Sequence, residues 1–243
     1  MRVEELVRGF SFWMPTTDNE GNFFMDIERF GCLMFTVSAT VEIQPQAYDE
    51  STEKRPIDVT AQVSYIGRTS FKYKTGMNFP GYDKPLVTIQ TQTVFCDLET
   101  RRPKAPDDWW REKYAPLLPE SGEPLRIPSL TLPDDCDVFE EKFRILPSST
   151  DPYMHCNWSY FIRYFMDALF CHHIRLYGYS DNGDPYRLVK KVMVNYKGEA
   201  SAGDEVVVKF WPASTCKDSF YFLMLKDTSV ICECSIEFYP VRI

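Results

Sequence analysis

Hydrophobic and polar positions alternate along most of the chain. The runs MFTVSATVEI, IDVTAQVSYIG, SFKYKTGM and LVTIQTQTVFCDL in the first half have the period of two expected of half-buried strands, as do EEKFRIL, VKKVMVNYKGE, DEVVVKFW, FYFLMLK and VICECSIEFYP in the second. From Cys156 to about Tyr177 the period changes. Trp158, Phe161, Ile162, Phe165, Leu169 and Leu176 form one apolar stripe, which predicts a long amphipathic helix. A strand GFSFWM and a shorter helix around Phe23 to Leu33 are predicted at the start of the first half. Turn signals at Ala202-Gly203-Asp204, from Pro212 to Asp218 and at Asp227-Thr228-Ser229 separate the later strands. The predicted order is β-α-β-β-β-β, twice.

Proline marks where the repeat divides. Seven of the 17 prolines fall at 103, 106, 116, 119, 124, 128 and 133, which reads as an extended connection over residues 103–138 between units 1–102 and 139–243. Within it, Asp107 or Asp108 is placed to cap a short helix through Trp109, Trp110 and Tyr114, pinning the connection to a neighbouring surface. An offset of 133 aligns Phe10 with Phe143, Phe12 with Ile145, Thr17 with Thr150 and Asp18 with Asp151, at the end of the first strand of each unit. It also sets Gly21-Asn22 opposite Met154-His155, so only the second unit carries the imidazole.

Composition narrows the class of protein. The 243 residues are 44% hydrophobic and 15% aromatic, enough for a packed core and against disorder. A net charge of −8 argues against nucleic acid and anionic membrane as partners, since both select basic patches. No stretch has the length of apolar chain that a transmembrane helix needs, and MRVEELVRGFSF lacks a signal-peptide pattern. Eight cysteines without a CxxC pair read as small buried hydrophobes in a reducing, cytoplasmic setting. Cys171-His172-His173 looks like a metal cluster, but adjacent helical residues diverge by about 100° and cannot share one ion. Neither a metal nor a cofactor is implied.

The segment STDPYMHCNWSYF holds the candidate chemistry. It brings Asp151, His155 and Asn157 to the junction of a strand and the N-terminus of the long helix, where amides and the helix dipole suit a developing oxyanion. A carboxylate there can serve as nucleophile or general base, and an imidazole as proton shuttle. This is equipment for acyl transfer. The same residues also fit a plain role, with Asp151 capping the helix, His155 a satisfied polar residue and Asn157 supporting the turn. Glu199 similarly fits a solvated turn charge, and Asn22 a turn residue.

At these residues the chain resembles the tandem hotdog acyl thioesterases, a broad group that includes 4-hydroxybenzoyl-CoA thioesterase and the plant acyl-ACP thioesterases. The matching pattern is an Asp-containing turn, then HxNN at the start of the central helix, then an aromatic; here it reads Asp151, His155, Cys156, Asn157, Trp158 and Tyr160. VMVNYKGEASAGDEVVVKFW resembles the strand that wraps this helix, and VSYIGRTSF and VFCDLETRRPKAPDDW resemble the last strands of such a unit. The resemblance implies an α+β fold of two hotdog units in one chain, each an antiparallel sheet wrapped around a long central helix.

It further implies catalytic roles for Asp151, His155 and Glu199, with amides near Cys156 and Asn157 binding the oxyanion and acyl chains lying beside the helix. The single site is expected between the units, with Asn22 in its far wall. Three positions depart from the family pattern: Tyr153 stands where the family has Asn, Trp158 where it has a second Asn, and Met154 where it has Gly or Gln. Tyr153 is expected to donate to the thioester carbonyl or to narrow the pocket mouth. Trp158, Phe161, Ile162 and Phe165 suggest an apolar acyl group, and Lys190, Lys191, Arg163 and Arg175 form a candidate basic patch for an acidic carrier. The expected partner is an acyl thioester of coenzyme A or acyl carrier protein, and the expected assembly a monomer with an internal pseudo-dimer or a homo-oligomer of it. A non-catalytic acyl binder and a hotdog hydratase or dehydratase are the alternatives. The hydratase motif spaces its Asp and His differently from the DxxxH found here.

Overall fold

A computed structural model of the chain describes residues 32–120, 122–151, 154–178, 187–214, 216 and 218–240. Its contacts divide the chain into two compact units. One takes the chain up to Val37 and from Glu50 to Leu125; the other takes Ser38–Asp49 and everything from Arg126 onward. The division falls within the first strand and within the Pro-rich stretch.

In the first unit β2 (Asp58–Ile66), β3 (Ser70–Asn78) and β4 (Val87–Asp97) pair antiparallel in sequence order. The short helix α1 (Asp108–Tyr114) lays Trp110 between Phe71 and Phe95, with Tyr114 beside it. Trp110, Phe71 and Phe95 are fully buried, so the helix expected to pin a connection instead completes a core. Tilted and edge-on ring pairs such as these add to the apolar area they bury. The predicted strand GFSFWM, the aligned positions 10, 12, 17 and 18, and most of the helix predicted around Phe23 to Leu33 lie outside the described residues. The end of that helix is corrected: Cys32 and Leu33 already belong to β1 (Cys32–Ile43).

The second unit holds the part of β1 from Ser38, β5 (Phe139–Arg144), α2 (Trp158–Tyr177), β6 (Val189–Tyr196), β7 (Glu205–Pro212), β8 (Ser219–Lys226) and β9 (Ser229–Phe238). Antiparallel ladders join them in the order β1, β6, β9, β8, β7, β5. Alternation sends Val192 and Val194, Val206, Val208 and Phe210, Phe222 and Met224, and Ile236 to one buried cluster. Helix α2 meets it with Phe161, Tyr164, Phe165 and Ala168, spaced so that all four share one helix face. Leu176, predicted on the same stripe, is exposed at the last turn. No helix among the described residues is long and apolar enough to cross a membrane.

Candidate active site

The approach to α2 is tied down before the helix begins. After β5, a single 3-10 turn at Pro147–Ser149 leads to Thr150, which bridges Cys156 across a tight loop. Asp151 N–H donates to the His155 carbonyl (2.9 Å), Met154 N–H donates to the Asp151 carbonyl (2.9 Å), and Asp151 Oδ1 accepts the His155 N–H (3.3 Å). Closing the loop this way puts Met154 at φ 62°, a left-handed conformation that costs a residue with a Cβ roughly 1–2 kcal/mol.

Asn157, not Asp151, is the helix cap. Its side chain accepts from the Ser159 N–H (3.1 Å) and the Ser159 hydroxyl (3.0 Å). The amides just before the helix are already committed, Cys156 N–H to the Ala200 carbonyl (2.6 Å) and Asn157 N–H to the Ser149 carbonyl (2.9 Å). The expected oxyanion role of these two amides is corrected accordingly, because the strand-to-helix junction is stitched shut by tertiary hydrogen bonds. Burial, with Asp151 nearby, pushes the Cys156 thiol up to about 12, so it stays a thiol and is not an activated nucleophile.

The second strand of the site comes from the turn after β6. Lys197 and Gly198 both donate their N–H groups to the Ile231 carbonyl (2.9 and 3.0 Å). A Cβ on Gly198 would meet Ile231 Cγ2 at 2.9 Å, so this close approach requires glycine. The turn then presents Glu199, whose Oε2 lies 3.6 Å from His155 Nε2. His155 is 23% and Glu199 44% exposed at the side chain, so the pair reaches solvent. His155 also bridges Ser201 through the backbone. Asp151, His155 and Glu199 are thus brought to one place, whereas Tyr153 and Asn22 lie outside the described residues.

Other expected features resolve differently. Phe161 and Phe165 are closed into the core, leaving only Trp158 and Ile162 of the expected acyl-lining face partly exposed. One helix face cannot serve as both packed core and open pocket. Each member of the candidate basic patch pairs with a carboxylate: Lys190 with Glu237, Lys191 with Glu42, Arg163 with Asp167 and Arg175 with Glu141. His172 packs on Phe139 and Phe210 while His173 meets Tyr177, so the adjacent rings serve separate contacts. Among the described residues no three His, Cys, Asp or Glu side chains group as a metal site. A cavity of about 120 Å³ lined by Ile127, Leu130, Met193, Asn195, Tyr221 and Glu233 among others contains none of the three candidate catalytic residues.

No family model matches the sequence, and no curated protein matches it. Solved structures do match. An acyl-ACP thioesterase from Bacteroides thetaiotaomicron aligns over 97% of this chain and 87% of its own, with a TM-score of 0.65 at 15% identity. The 12:0-ACP thioesterase from Umbellularia californica aligns over 97% and 85%, with a TM-score of 0.66 at 11% identity. A Lactobacillus plantarum protein described provisionally as an oleoyl thioesterase aligns over 88% and 79%, at 0.66 and 16%. The fold is hotdog-like.

On this hotdog-like frame, two residues that sequence reasoning passed over also bear on the site. Asp204 Oδ2 accepts the Ser201 N–H (2.7 Å) and pairs with Lys226 Nζ (2.5 Å), and these bonds hold its carboxyl below the usual carboxylate range. The available signal was the Gly203-Asp204 turn, where Gly203 takes φ 93°. Its partner on β8 is invisible in sequence, because a strand-end lysine reads as an ordinary solvated charge.

Proposed function

We propose that the chain is an acyl thioesterase, hydrolysing an acyl thioester to a free acid and a thiol at the junction before α2. The observation that carries this reading is the meeting of His155 Nε2 and Glu199 Oε2 at 3.6 Å beside the Asp151 loop. Two segments distant in sequence supply a carboxylate–imidazole pair and a second carboxylate. The likeness of fold to acyl thioesterases points the same way.

In this reading the Asp151 carboxylate takes a proton from water, and the water oxygen attacks the thioester carbonyl carbon. The tetrahedral intermediate then collapses with loss of the C–S bond, and His155, starting as the imidazolium paired with Glu199, gives a proton to the departing sulfur and is left neutral. The proton on Asp151 returns to the imidazole, and the product acid ionises to solvent. Direct attack by Asp151, through an acyl–carboxyl anhydride that water then cleaves, uses the same residues. The buried, neutral Cys156 thiol takes no covalent part.

The substrate in this reading is an acyl thioester of coenzyme A or acyl carrier protein, the class that the likeness of fold to acyl-ACP thioesterases supports. Tandem hotdog organisation and a reducing, cytoplasmic setting belong to the same reading; eight free cysteines, five of them buried, support the setting. The test is free-thiol release from a panel of acyl-CoA and acyl-carrier thioesters. Turnover in at least one of the two series is expected, and no turnover across both would contradict hydrolysis.

A further inference from the structure

Glu199 reaches His155 from a turn that is bound at both ends. At its start, Lys197 Nζ pairs with the buried carboxylate of Glu233 (2.5 Å) while Lys197 and Gly198 donate to Ile231. At its end, Asp204 Oδ2 gathers the Ser201 N–H and Lys226 Nζ. Asp204 also accepts the Ile145 N–H at its carbonyl (2.9 Å), and Gly203 N–H donates to the Ile145 carbonyl (2.8 Å). Between these anchors the Ala200 carbonyl accepts the Cys156 N–H, and Ala202 N–H donates to the Met154 carbonyl (3.3 Å). The Glu199 turn and the His155 loop are therefore laced together by main-chain bonds whose register depends on where Asp204 holds Ser201.

The end of the turn is its more adjustable anchor. Beside its main-chain bonds to Ile145, this end is held by an ion pair with side chains 34% exposed for Lys226 and 24% for Asp204. Removing Lys226 leaves the Asp204 carboxylate that holds the Ser201 N–H without its cationic partner, and so loosens the placement of the stretch that carries Glu199. We propose that Asp204 and Lys226 are positioning residues for the His155–Glu199 pair, acting through the turn and touching no substrate. Misplacement of a catalytic group by about 1 Å is enough to lower a rate by up to 10²-fold without altering how substrate binds. The proposal rests on the hydrolytic reading of the site.

The experiment compares Lys226→Met and Lys226→Arg in the full chain, each alone and in a Glu199→Gln background, using the best acyl thioester of the panel at a temperature where circular dichroism shows every variant folded. Lys226→Met is expected to lower kcat roughly tenfold with KM within about twofold. Lys226→Arg, which keeps the charge, is expected to restore most of the rate. In the Glu199→Gln background Lys226→Met should cost nothing further, because both changes remove the same placement. An unchanged kcat in Lys226→Met, or the same tenfold loss in both backgrounds, would overturn the positioning role. Glu199→Gln at the wild-type rate would instead sink the catalytic reading of Glu199, a distinguishable failure.

Discussion

Helices α1 and α2 begin with the same kind of residue, Asp107 and Asn157, and end up doing different things. Asp107 makes no side-chain capping bond; only its carbonyl serves the first turn, accepting from Trp110 and Arg111. The seven residues that follow are held by Trp110 in an aromatic cluster. Asn157 caps with its side chain, and the residues before it are tied to Ser149 and Ala200 on separate segments. One helix is positioned by what it buries, the other also by how the chain arrives. The difference teaches where precise chemistry can sit: the residues immediately before the long helix are held by hydrogen bonds to other segments, and the candidate catalytic residues lie among them.

The comparison is most strongly broken by emptying the cores. Trp110→Ala and Phe165→Ala are each expected to cost about 3–5 kcal/mol, read from urea unfolding, since both rings are fully buried. A loss under 1 kcal/mol in Trp110→Ala would contradict burial as the force that holds α1. Next come changes to the site. Asp151→Asn keeps an oxygen able to accept the His155 N–H, so the loop should survive while thioester turnover falls by roughly 10²–10⁴-fold. Full turnover in that variant would remove Asp151 from the chemistry and leave the base role to His155 and Glu199.

Smaller effects sharpen the contrast of the two caps. Asn157→Ala should lose about 1 kcal/mol of stability, whereas Asp107→Ala, lacking a capping bond and holding only a 3.9 Å contact to Lys104, should change it by less than about 0.5 kcal/mol. Equal losses would mean that side-chain capping is not what separates them. The smallest effect belongs to Cys156→Ser, which should leave turnover within about threefold, and wild-type Cys156 should resist iodoacetamide at neutral pH because its thiol is held neutral.

Much of the fold could be read from period alone. All nine described strands and α2 fall where alternation and helical spacing put them, because a half-buried sheet and a stripe of buried rings leave that mark on the sequence. What misled were a local cap and long-range contacts. Helix α2 starts at Trp158 instead of Cys156 because Asn157 is extended and caps it with its side chain, and Phe161 and Phe165 fill the core where an acyl pocket was expected. Asp151 and His155 stand out locally as a carboxylate and an imidazole in one turn. Glu199 is visible only through family resemblance, since a solvated glutamate after glycine looks the same whether or not a histidine waits opposite. Asp204 and Lys226 carry no local signal of their pairing at all.

The measurement that bears most directly on the site is a double-mutant cycle on His155 and Glu199, following thiol release from the preferred acyl thioester for the wild type, His155→Ala, Glu199→Gln and the double variant. If the two act as one proton-moving pair, each single change should lower kcat/KM by roughly 10²-fold or more, and the double variant should be little worse than the poorer single one. Losses that multiply, or single variants that keep the wild-type rate, would mean that the 3.6 Å approach of the two side chains does no catalytic work.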